Sequence, residues 1–64
     1  MKPDFTHDFD IQGSISQVID QLLQRGYRDI WLEPDKDDLI NILTGPRRRY
    51  LGTYYAGEFS TIWF

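Results

Sequence analysis

The 64-residue chain has no cysteine and a single histidine, His7. The first absence excludes disulfides and thiolate metal sites together. The second excludes a structural zinc site, which needs four ligands of the histidine and cysteine type. No apolar run approaches the roughly 20 residues of a membrane-spanning helix. The start, Met1-Lys2-Pro3-Asp4, has no apolar core of a signal peptide, so a reducing, cytoplasmic location is the default expectation. Positive charge is also short: seven Lys and Arg against ten Asp and Glu give a formal charge of −3. No global basic field is therefore available to hold nucleic acid non-specifically.

What is present is aromatic: four Phe, four Tyr and two Trp. A chain this short buries only about 60% of the surface that its unfolded form exposes, so a small domain needs an efficient core or a partner subunit. Residues 1–64 read as one domain, with no repeat, linker or low-complexity segment.

Ile15, Val18, Ile19, Leu22 and Leu23 repeat at helical spacing and define one apolar stripe. Ser14 with Gln17 three residues later is a capping box. Gly26 sits where a left-handed residue ends a helix, and Tyr27 is placed to pack back on Leu22. The period then changes to two. Asp29–Glu33, Leu39–Thr44, Tyr50–Ala56 and Phe59–Phe64 read as strands separated by Pro34–Asp38, Gly45–Arg48 and Gly57-Glu58. Phe5, His7, Phe9 and Ile11 alternate with Asp4, Thr6, Asp8 and Asp10, so residues 1–12 form either an edge strand or an arm. The expectation is an α+β fold of order (β)αβββ(β), its single helix packed on a mostly antiparallel sheet of four to five strands.

One helix closes one face of such a sheet. If Ile30, Leu32, Ile40, Ile42, Ile62 and Phe64 meet the helix, alternation sends Trp31, Leu39, Leu43 and Trp63 to the opposite face. The tyrosine strand adds either Tyr50 and Tyr54 or Tyr55 there, depending on register. Either the N-terminal arm or sheet curvature hides this face, or it is an exposed aromatic patch of the kind that marks a binding surface. The second reading makes the chain a non-enzymatic protein–protein interaction module, self-associating in its simplest form and acting as a regulator or adaptor. Its partner-binding residues are Trp31, Leu43, Tyr54 and Trp63, with Arg47, Arg48 and Arg49 steering an acidic partner.

Other chemistry has weaker support. Arg47-Arg48-Arg49 beside Tyr50 would serve a single-stranded nucleic-acid binder, the alternative reading. Asp35, Asp37 and Asp38 share a turn but lack the glycine and distal glutamate of a calcium loop. No metal and no cofactor is expected. No nucleophile has a matched base, and no glycine-rich phosphate loop precedes the helix, so no catalytic residue is assigned.

The run Asp29-Ile30-Trp31-Leu32-Glu33-Pro34, after a helix and before a polar turn, resembles the N-terminal PAS-like domain of the type II secretion and type IV pilus ATPases. That family carries S-D-I-H-[IL]-E-P there, and Asp29, Ile30, Leu32, Glu33 and Pro34 match it. Arg28 and Trp31 stand in place of the serine and histidine, and the alternating arginines of the family's next strand are absent from Asn41–Thr44. The resemblance covers about residues 18–39 and implies a similar fold and a non-catalytic role, such as a regulator docking on a pilus or secretion motor. The P-loop and acidic boxes of that family's catalytic half do not occur in these 64 residues, so no functional residue transfers.

Overall fold

The structure, a computed structural model, describes residues 8–62. The expectations for residues 1–7, Trp63 and Phe64 lie outside that range. Strands β1 (Asp10–Gln12), β2 (Trp31–Pro34), β3 (Ile40–Thr44), β4 (Arg49–Tyr55) and β5 (Glu58–Ser60) form one antiparallel sheet of order β1-β5-β4-β3-β2. Helix α1 (Ile15–Gln24) links β1 to β2. The fold is α+β, with one helix on an open five-stranded sheet among the described residues.

The helix ends are those its sequence specifies. Gln17 N–H donates to Ser14 Oγ at 3.2 Å, and Ser14 N–H donates to Gln17 Oε1 at 2.8 Å. At the far end Tyr27 N–H bonds to Leu22 C=O and Gly26 N–H to Leu23 C=O, with Gly26 at φ 101°. This is a Schellman closure, and it delivers the Tyr27 ring into the core beside Leu22. Val18, Leu22 and Tyr27 pack with Ile11, Ile42, Leu51 and Phe59, so the core draws on β1, β5, β4 and the centre of β3. Ile30 and Tyr54 pack against its margin.

Leu32 and Ile62 do not make the helix contacts expected of them. Leu32 is 45% exposed, because β2 is the sheet edge farthest from β1 and contributes nothing to the core. Ile62 is exposed, because β5 ends at Ser60 and the chain turns at Thr61. The last strand is therefore shorter than its apolar pattern suggests.

Strand β4 carries the structural irregularity that matters most. Ile42 pairs with Gly52 while Leu43 pairs with Tyr50, so Leu51 is the extra residue of a β-bulge. The bulge turns Leu51 into the core beside Gly52. Gly52 is required there: a Cβ would lie 2.5 Å from the Ser60 carbonyl oxygen and 2.6 Å from the Phe59 ring. The β4–β5 hairpin closes through Ala56 and Gly57, at φ 51° and 81°. Two positive φ angles match a type I′ turn, for which asparagine suits the first position better than alanine.

Two outcomes follow. Ala56→Asn stabilises the protein by about 1 kcal/mol, raising the melting temperature by roughly 4–8 °C in a domain of this size. Gly52→Ala lowers it sharply and broadens the transition, since backbone and a packed ring both stand in the way. Thermal unfolding followed by circular dichroism reads both.

Candidate functional site

Cross-strand partners point to the same side of a sheet, so the register defines what the face opposite the helix carries. One row runs Trp31–Leu43–Tyr50. The next runs Glu33–Asn41–Thr53–Ser60–Asp10, and a third holds Tyr55, Glu58 and Gln12. Tyr50 and Tyr55 thus share the open face, although five positions apart, because the bulge at Leu51 breaks the alternation. Tyr54, expected as a binding residue, belongs to the other side. It pairs with buried Phe59, is half-buried, and its hydroxyl donates to Gly13 C=O at 2.8 Å, tying β4 to the helix entry. Leu39 lies outside β3, half-buried in the turn that closes through Asp35 N–H to Leu39 C=O at 2.8 Å.

Trp31 is held in place rather than loosely exposed. Its indole Nε1–H donates to Gly45 C=O at 2.8 Å, and the Arg48 guanidinium sits 4.3 Å from the ring. The same carbonyl accepts Arg48 N–H, and Gly45 N–H in turn bonds to the Arg28 and Asp29 carbonyls. Thr44 Oγ1 adds a bond to Arg28 C=O at 2.5 Å. The β3–β4 hairpin is therefore lashed to the segment that leads into β2. Trp31 remains 37% exposed and Tyr50 49% exposed, with half-buried Leu43 between them.

A hydrogen-bonded relay fixes Tyr50. The Thr53 hydroxyl donates to Asn41 Oδ1 at 3.0 Å, so the Tyr50 hydroxyl, 2.6 Å away, donates to Thr53 Oγ1. The result is a small apolar row set beside a satisfied polar one. No buried side-chain polar atom among the described residues lacks a partner.

The arginines do not act as one comb. Arg48 covers Trp31, Arg47 is exposed at the hairpin tip, and Arg49 pairs with Thr44, on the side of the sheet facing the helix. Arg49 also borders a cleft of about 230 Å³, lined by Asp8, Phe9, Tyr27, Tyr50, Leu51 and Thr61. Its volume falls below the roughly 300–1,000 Å³ of ordinary small-molecule sites. Sequence reasoning missed this cleft, because nothing in local patterning brings Phe9 to Tyr27. Phe9 is placed by Thr61, whose Oγ1 accepts its N–H at 3.1 Å, and by the Tyr27 and Phe59 rings at 6.2 and 5.8 Å.

Charge is segregated along the strands. One end of the sheet carries Arg28, Arg47, Arg48 and Arg49 with Asp8 and Asp29. The other carries Glu33, Asp35, Asp37, Asp38 and Glu58 with Lys36. No group of three His, Asp or Glu side chains among the described residues could hold a metal ion. No described helix is long and apolar enough to cross a membrane.

No protein-family model matches this chain, and neither does any curated protein or solved structure. The class that the fold defines is a small α+β domain in which one sheet face has no second layer among the described residues.

Trp31→Phe keeps an aromatic ring beside Arg48 but removes the bond to Gly45 together with part of the indole's contact area. Its expected cost is at least about 1 kcal/mol, the net worth of one hydrogen bond, read as a lower melting temperature at fixed protein concentration.

Proposed function

We propose that the chain is a protein–protein interaction module that docks through the open sheet face, with a second copy of itself as the simplest partner. The observation that supports this most is the Trp31–Leu43–Tyr50 row. Two aromatic side chains, each positioned by hydrogen bonds, stay exposed around an apolar centre. Ordered aromatics lose little entropy on binding, and tryptophan, tyrosine and arginine are the residue types that most often dominate interface energy. A regulator or adaptor acts in this way, by occupying or bridging partners rather than by transforming them.

The single-stranded nucleic-acid alternative has less behind it. Its three arginines are engaged differently, and the surface that would stack bases is bordered by Glu33.

Solution mass tests the reading. Light scattering after size exclusion, at micromolar and at tenfold higher concentration, is expected to give a dimer that Tyr50→Lys converts to monomer with unchanged circular dichroism. A monomer at both concentrations, or a Tyr50→Lys dimer of undiminished stability, contradicts self-association through this face.

A further inference from the structure

We infer that the two copies meet with their strands antiparallel, about a two-fold axis running along the Trp31–Leu43–Tyr50 row, so that Arg48 of each copy faces Glu33 of the other. This rests on the open face being the docking surface. The partner arrangement comes from where the charges sit on either side of the apolar row.

On one side lies the hairpin tip, where the Arg48 guanidinium is held 4.3 Å from the Trp31 ring. On the other side lies Glu33, two residues along β2 from Trp31, hence on the same face and about 7 Å away. A two-fold axis along the row exchanges its two sides. It lays Trp31, Leu43 and Tyr50 of one copy on the same row of the other, as a self-complementary interface requires. It also places each Arg48 over the opposite Glu33, giving two identical charge pairs at the rim of one apolar contact.

The other face-to-face option has its axis parallel to the strands and superposes like ends. Arg28, Arg47, Arg48 and Arg49 would then approach their own copies, as would the acidic loop that contains Asp35, Asp37 and Asp38. Like-charge juxtaposition across an interface is unfavourable, so the charge distribution selects the antiparallel mode. A second competitor is edge pairing of β2 with β2, since all four of its residues are exposed. It would bring Leu32 near its own copy on the helix side, whereas the face-to-face mode leaves Leu32 in solvent.

Charge reversal separates these arrangements. Arg48→Glu and Glu33→Lys, each alone, place two like-charge pairs at the rim and should weaken the dimer at least tenfold. Mixed in equal amounts, the two variants should form a heterodimer of near wild-type stability. In that pair the glutamate introduced at position 48 meets the lysine introduced at position 33, and the untouched Glu33 meets the untouched Arg48. The double variant R48E/E33K should also dimerise, which shows in addition that neither substitution prevents folding. Leu32→Lys should leave the dimer constant within about twofold. Sedimentation equilibrium gives each constant.

A wild-type dimer that Tyr50→Lys dissociates, but that the complementary mixture fails to restore, overturns the antiparallel arrangement and leaves the docking face standing. Loss of the dimer on Leu32→Lys overturns it in favour of edge pairing. A mixture that grows beyond dimer mass overturns it in favour of head-to-tail stacking. A monomeric wild-type protein overturns both the arrangement and the self-association beneath it.

Discussion

A helix of ten residues is about 15 Å long, and a sheet of five strands is about 19–24 Å across. That disproportion governs the molecule. The helix stripe closes over Ile11, Phe59, Leu51 and Ile42, and there the buried surface runs out. Strand β2 overhangs on one side of the helix, and the opposite face has no second layer among the described residues. A larger domain would place another helix there. Here the exposed apolar groups are instead ordered by local bonds, the indole by Gly45 and the phenol by the Thr53–Asn41 relay.

The fixed geometry of those groups would link stability to the proposed recognition. Trp31 belongs to the clasp that joins the Arg28–Ile30 segment to the β3–β4 hairpin, and among the described residues it also supplies the largest exposed ring of the open face. Arg48 has the same double attachment, stacking on that ring while its backbone N–H closes the turn on Gly45. A partner that covers the row therefore buries groups that folding has already ordered, which favours binding without rearrangement. The arginine end and the acidic end lie at opposite ends of the strands, so in the proposed dimer charge would set the orientation and the apolar row would supply the adhesion.

Much of this was legible in the residues. The stripe, the Ser14–Gln17 box and the Gly26 stop determined the helix at both ends, because each is a local interaction between near neighbours in the chain. Alternation placed Trp31 and Leu43 together on the open face. It failed for the tyrosines, because strict period two assumes an unbroken ladder and β4 has a bulge. A glycine within a strand is a signal for a bulge, and Gly52 was that signal. With the bulge at Leu51, Tyr54 moves to the helix side and Tyr50 and Tyr55 come together. The failure at Leu32 and Ile62 has another cause: alternation says which side a residue is on, not how far the helix reaches. The roles of Gly45, Arg28 and Thr44 around the indole were invisible because they depend on contacts 14 to 17 residues apart.

The most direct measurement of the central claim is residue-resolved. Amide and indole N–H chemical shifts would be followed by NMR as the protein is diluted from millimolar to low micromolar concentration. Self-association through the open face requires changes that converge on one dissociation constant and map to the Trp31 indole, Leu43, Tyr50 and their neighbours. Shifts that do not move with concentration, or that move only on the outer surface of the helix, would contradict it.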